Sequence, residues 1–181
     1  MRIIGGDKGG RKFNPPNKMP YTRPTTDIAK EGLFNVLENN LDLEELKTLD
    51  LFGGTGSISY ELASRGVKDI TIVEKDVKMY EFIKTTAAAL NFTDFKIHKA
   101  DVFKFIEQSP EKFDFIFAGP PYALENINDL PVKIFEKQLL KNKGWFVLEH
   151  TPRNDYKKFP FYKTERSYGT TVFSIFIENR E

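Results

Sequence analysis

The sequence predicts an α/β fold, a mostly parallel sheet ending in an antiparallel hairpin, and three observations predict it. Short apolar runs alternate with helical segments between residues 47 and 150, which implies right-handed crossovers and a sheet covered on both faces. The last stretch, "FYKTERSYGTTVFSIFIE", holds two extended runs around "YGT" with no room for a crossover helix, so it closes as a hairpin at the sheet's edge. The first 25 residues fit neither pattern. They mark off a basic N-terminal arm, 1–25, belonging to or packed on a domain of residues 26–181.

Taken in order, the arm comes first. Residues 1–30 carry Arg2, Lys8, Arg11, Lys12, Lys18, Arg23 and Lys30 against Asp7 and Asp27, while the whole chain is only +1. Such segregated charge suits a phosphate-binding surface, and equally a solvated terminus. "TTDIAKEGLFNVLEN" then has a Thr or Asp start signal with Ile28, Leu33, Phe34 and Leu37 at helical spacing, a helix from about Thr26. Strands follow at "KTLDLF" (47–52), "DITIVE" (69–74), "FKIHKA" (95–100), "FDFIFA" (113–118) and "GWFVLEH" (144–150). Helices fall between them at 57–65, 77–91, 102–108 and 130–140.

Composition narrows the function classes. There is no cysteine and only two histidines, His98 and His150, which excludes disulfides, thiolate ligands and a cysteine nucleophile and leaves no basis for a metal site. Both histidines close strands and read as structural. No apolar run approaches the ~18 residues of a membrane span, and "MRIIGGDKGGRK" is no signal peptide. The expected protein is a cytoplasmic monomer. Most of the 17 phenylalanines, Phe34, Phe52, Phe115 and Phe117 among them, sit in apolar periodic contexts and belong to the core.

Chemistry begins at "LDLFGGTGSIS". A strand carrying Asp50 near its end runs into a turn holding Gly53, Gly54 and Gly56, then into a helix. Glycines there permit positive φ and let a ligand touch the backbone. A dinucleotide would prefer G-x-G-x-x-G, and the best alignment, Gly54, Gly56 and Ser59, lacks the third glycine. S-adenosylmethionine has no pyrophosphate to seat but carries an ammonium, which an acid such as Asp50 can hold, in part through water. Glu74 ends the second strand, where a carboxylate accepts both ribose hydroxyls, as the analogous acid does for NAD. Asp101 follows the third strand, suited to an adenine amine, with Val102 as a backbone or ring contact. Each acid alone is more often a loop carboxylate or helix cap. Three acids at the carboxyl ends of three successive strands fall where open α/β sheets bind ligands.

The fourth strand delivers "GPPY". Pro120 and Pro121 remove two backbone donors and fix φ, holding the turn rigid, and Tyr122 offers a flat ring to stack on a base. A parallel sheet finished by a hairpin resembles the class I S-adenosylmethionine-dependent methyltransferase (Rossmann-like) fold. The turn resembles that of methyltransferases acting on the exocyclic amine of a nucleobase, where Asp or Asn precedes Pro-Pro-aromatic. There the acid or amide and the first proline's carbonyl accept the amine's hydrogens.

Together "MRIIGGDKGGRKF", "TRPTTDIAKEGLFNVL", "LDLFGGTGSISYELASRG", "VEKD", "FDFIFAGPPY" and "YGTTVFSIF" resemble the bacterial RsmD family, which methylates a guanine exocyclic amine in 16S ribosomal RNA. The resemblance covers nearly the full length. It implies cofactor binding by Gly53, Gly54, Gly56, Glu74 and Asp101, a catalytic turn of Pro120, Pro121 and Tyr122, and "TRPTTD" beside the RNA. It implies as partner ribosomal RNA or the assembled small subunit. Arg11, Lys12, Arg23 and Thr25, with Lys157 and Lys158 near the hairpin, are the candidate RNA contacts.

The sequence departs from the family at two places. "DLFGGTG" has glycine and threonine where the family usually has alanine and serine, and keeps the glycines. Gly119 stands where the family has its acid or amide. Three readings stay open: an introduced substitution of Asp, a natural enzyme relying on the Pro120 carbonyl and water, or a protein that binds cofactor and RNA without turnover. Asp114 lies about 16 Å away along a strand rising ~3.3 Å per residue and cannot stand in. Losing a positioned acceptor costs on the order of a hundredfold in rate, so weak activity is expected relative to Gly119→Asp. An adenine-amine DNA methyltransferase is the alternative enzyme, disfavoured because a chain this small has no added target-recognition domain. A catalytically silent RNA-binding protein is the alternative from another class.

Overall fold

The computed structural model describes residues 1–19 and 24–180. Among these residues seven strands form one sheet: β1 (Lys47–Leu51), β2 (Asp69–Val73), β3 (Phe95–His98), β4 (Phe113–Ala118), β5 (Leu140–His150), β6 (Tyr162–Tyr168) and β7 (Thr171–Ile177), in the order β3-β2-β1-β4-β5-β7-β6. The first five are parallel, and β7 runs antiparallel to both β5 and β6. The described residues also form five α-helices, α1 (Asp27–Asn40), α2 (Ser57–Ser64), α3 (Val77–Ala89), α4 (Val102–Gln108) and α5 (Asp129–Glu136), which connect or cover the strands. The predicted parallel sheet and terminal hairpin are both present.

Burial explains the arrangement. In β4 every residue but Asp114 is buried, the near-continuous apolar run of a strand covered on both faces. One face packs Leu51, Ile116, Ala118 and Leu148 against Ile106 of α4 and Ile134 of α5. The other packs Phe115, Phe117 and Val147 against Leu33, Phe34 and Leu37 of α1 and Ile58 and Leu62 of α2. The Thr26 hydroxyl caps α1 by accepting the Ala29 N–H at 3.2 Å. Its buried stripe is Ala29, Leu33, Phe34 and Leu37, whereas Ile28, expected on that stripe, lies one residue off it and is 75% exposed.

Two boundaries also differ from the sequence reading. The helix expected over 130–140 ends at Glu136, because Gln138 turns into the left-handed region at φ 53°. The freed chain joins the sheet early: Leu140 pairs with Phe113, and after an irregularity where Lys143 takes φ 67° the ladder resumes at Trp145.

Residues 1–13 of the arm are folded onto α2. Arg2 and Lys12 form an antiparallel bridge, and Ile3 and Phe13 are buried against Tyr60 and Leu90. The Glu61 carboxylate accepts the N–H groups of Ile4 and Gly5, each at 2.9 Å. It also pairs with Arg65 at 2.9 Å and with the buried Lys30 at 3.5 Å. Lys30 in turn donates to the Arg2 carbonyl at 2.6 Å and the Ser57 hydroxyl at 3.0 Å. Burial lowers the Lys30 pKa and the Glu61 charge opposes that shift. Among the described residues no helix is long and apolar enough to cross a membrane.

Candidate functional site

The site gathers at the carboxyl edge of the sheet. After β1 the chain passes through Phe52 at φ 61°, Gly54 at 57° and Gly56 at 83° before α2 begins. A left-handed non-glycine residue such as Phe52 costs about 1–3 kcal/mol, strain of the kind found in ligand-holding turns. At Gly56 a Cβ would stand 2.4 Å from the Tyr60 ring, so glycine is demanded by space as well as by φ. Backbone bonds stitch neighbouring turns together: Gly53 N–H to the Val73 carbonyl at 3.0 Å, Glu74 N–H to His98 at 3.0 Å and Gly119 N–H to Leu51 at 3.3 Å.

Of the three acids, Glu74 bonds the glycine loop itself and Asp50 bonds the first turn of the helix that follows it. Glu74 is half-buried, one carboxylate oxygen accepting the Gly54 N–H at 2.7 Å and the other the Asp76 N–H at 2.9 Å. Asp50 lies beneath the loop, 2% exposed, with the Ser59 hydroxyl donating to it at 2.6 Å. Burial pushes its carboxyl up to about 7, the Ser59 bond opposing and the charges of Glu74 and Glu149 adding to the rise. Asp101 occupies the next turn and caps α4 by accepting the Lys104 N–H at 3.1 Å, and Val102 is buried as the first residue of that helix. A cluster of carboxylates at a glycine turn suits a ligand with hydroxyls and positive charge, and opposes a pyrophosphate. The donor set therefore fits S-adenosylmethionine.

The turn after β4 sits beside this loop. Pro120 is buried, Pro121 and Tyr122 are half-buried, and the Pro121 carbonyl accepts the Leu124 N–H at 3.0 Å. The Tyr122 hydroxyl lies 3.4 Å from both Glu149 and the Thr171 hydroxyl. Asp114 is at the other end of β4, accepting the Lys47 N–H at 2.8 Å and pairing with Lys141 at 3.2 Å. A residue the sequence reading passed over stands close by. Glu149, near the end of β5 and 3% exposed, accepts the Thr25 hydroxyl at 2.6 Å. The signal was an acid inside the apolar run "GWFVLEH". The neighbouring His150 is held by Ser174 at 2.6 Å and the Thr151 carbonyl at 2.7 Å, and burial lowers its pKa.

Among the described residues the candidate RNA contacts do not form one patch. Arg11 and Lys12 are exposed on the arm, on the α2 side of the sheet, and Thr25 reaches Glu149 at the site. Lys157 and Lys158 are exposed on the loop after β5, which packs through Tyr156 on the opposite face. Arg23 lies outside the described residues. Two charges counted with the arm are already paired, Lys30 with Glu61 and Arg2 with Asp27 at 2.9 Å. Among the described residues no group of His, Asp and Glu is placed to hold a metal ion.

Comparison with known proteins adds four findings. The family model described as Conserved hypothetical protein 95 matches residues 1–177. Putative rRNA methyltransferase YlbH of Bacillus subtilis is 32% identical over 154 residues, 83% of this chain and 82% of that protein. Ribosomal RNA small subunit methyltransferase D of Escherichia coli K12 is 30% identical over 153 residues, 82% of this chain and 71% of that protein. Among solved structures, a putative methyltransferase from Escherichia coli (yhhF) superposes with a TM-score of 0.87 at 22% identity, covering 100% of this chain and 99% of that one.

Proposed function

Because the chain belongs to the Conserved hypothetical protein 95 family, the RsmD group of ribosomal RNA methyltransferases, we propose that it methylates the exocyclic amine of a guanine in 16S ribosomal RNA. The cofactor is S-adenosylmethionine. When bound it supplies a methyl carbon on a cationic sulfur that leaves as a neutral thioether, so the amine nitrogen gains a C–N bond and releases one proton. The residues here bind and orient. In this reading Glu74 accepts the ribose hydroxyls, Asp101 the adenine amine, and Asp50 faces the ammonium across the glycine loop. The Pro120 carbonyl accepts a hydrogen bond from one amine N–H and Tyr122 stacks on the base, which leaves RNA pairing to reach it. Holding nucleophile and methyl group in line is the main catalytic contribution.

The observation that carries this reading is the rigid Gly-Pro-Pro-Tyr turn stitched at 3.3 Å to the end of the strand that feeds the glycine loop. That bond keeps the turn next to the glycine loop, which supports a base on Tyr122 beside a cofactor on the loop. Tritiated methyl transfer from S-adenosylmethionine to small-subunit RNA, to subunits lacking their native guanine methylation and, separately, to unmethylated DNA tests it, with the product digested to nucleosides. Label in N2-methylguanosine is the expected result. Label in an adenine of DNA would replace the reading with the other amine substrate, and cofactor binding without transfer to any of these would leave a silent RNA-binding protein.

A further inference from the structure

An amine nitrogen that attacks a methyl carbon must aim its lone pair along one line, so both of its N–H bonds need fixed acceptors. The Pro120 carbonyl is one, and Gly119 has no side chain to be the other. The adjacent strand supplies it. β4 and β5 run in register, Phe117 with Val147 and Ala118 with Leu148, so one step further Glu149 stands beside Gly119 on the face that carries Phe117 and Val147. Its Oε2 lies 4.0 Å from the point where a Cβ on Gly119 would stand. The carboxylate is fixed there: Oε1 accepts the Thr25 hydroxyl at 2.6 Å and Oε2 faces the Tyr122 hydroxyl at 3.4 Å.

We propose that the Glu149 carboxylate is the second acceptor for the target amine, delivering from β5 the group that the turn after β4 lacks at Gly119. The inference rests on the amine-methylation reading above. It also reverses the expectation that Gly119→Asp is the better enzyme. In the wild-type background the new side chain arrives against Glu149, and two carboxylates in one site cannot both remain charged without mutual cost.

Single-turnover methyl transfer to small-subunit RNA tests this with wild type, Glu149→Leu, Glu149→Gln, Gly119→Asp and the double variant Gly119→Asp/Glu149→Leu. S-adenosylhomocysteine binding by calorimetry monitors the fold. Glu149→Leu is expected to slow transfer about a hundredfold, while its S-adenosylhomocysteine affinity stays within about twofold of wild type. Glu149→Gln, whose amide oxygen still accepts, keeps transfer within about tenfold of wild type, and the double variant regains at least about tenfold over Glu149→Leu. Recovery by a carboxylate moved to the neighbouring strand is something a merely structural clamp between Thr25 and Tyr122 would not give. Unchanged transfer by Glu149→Leu, or a double variant no faster than it, overturns the proposal. Gly119→Asp alone decides if Glu149→Leu does not fold: no gain is expected, and a gain of about tenfold overturns the proposal. Absence of transfer by wild type that binds S-adenosylhomocysteine overturns the methylation reading and this inference together, whereas transfer surviving Glu149→Leu overturns the inference alone.

Discussion

Asp50 sits 2% exposed under the glycine loop, with its carboxyl pushed from the ordinary 3.8 up to about 7 by burial. Between those two values the folded chain keeps a proton that the unfolded chain releases, so this group's contribution to stability falls as the pH rises through that window and is constant outside it. Asp50→Asn removes the titration and keeps an oxygen for Ser59. The melting temperature of Asp50→Asn minus that of wild type, both without cofactor, is therefore expected to climb from pH 4 to about 7 and then level off. A flat difference across that range would mean that Asp50 ionises normally in the folded chain. The same residue shows what local sequence conveys. "LDLFGGTG" announced an acid beside a glycine turn, but nothing in those eight residues revealed that the acid is buried or that Phe52 adopts a left-handed φ of 61°.

Elements were legible wherever their signal is local. Alternating apolar runs placed β1 to β4 within a residue or two, and the Thr26 start signal placed α1, because periodicity and capping are written in consecutive residues. What escaped depends on partners distant in the chain. Glu149 meets Gly119 only through the β4–β5 register, and Lys30 is matched to Glu61 across 31 positions of sequence. That second pairing also decides how the arm docks, since Glu61 binds the Ile4 and Gly5 amides as well as Lys30 and Arg65. Glu61→Ala leaves the Lys30 ammonium buried beside Arg65 and two amides without their acceptor. A loss of about 3–5 kcal/mol in denaturant unfolding is expected, accompanied by protease sensitivity within residues 5–10. A loss below about 1 kcal/mol would show that the arm is held mainly by Ile3 and Phe13.

For the molecule as a whole, the described cations nominated for RNA, Arg11 and Lys12 against Lys157 and Lys158, divide between the two faces of the sheet, with the site on the edge between them. An RNA meeting both groups would pass over that edge. Each phosphate contact contributes about 0.7–0.9 to the slope of log affinity against log salt. Arg11→Glu/Lys12→Glu is expected to lower that slope by about one to two for small-subunit RNA in filter binding, and an unchanged slope removes the arm from the interface. The alignment of two strand ends at one height has a consequence for descent. A functional group deliverable from either of two neighbouring strands can change its genetic address in two mutations, and the order of those mutations is constrained by epistasis. A lineage that loses the acid of the turn before acquiring the other passes through an impaired ancestor. One that acquires the second acid first passes through a crowded pair of like charges. Sorting relatives into active and degenerate by the residue at position 119 alone would then discard working enzymes, because position 149 has to be read with it.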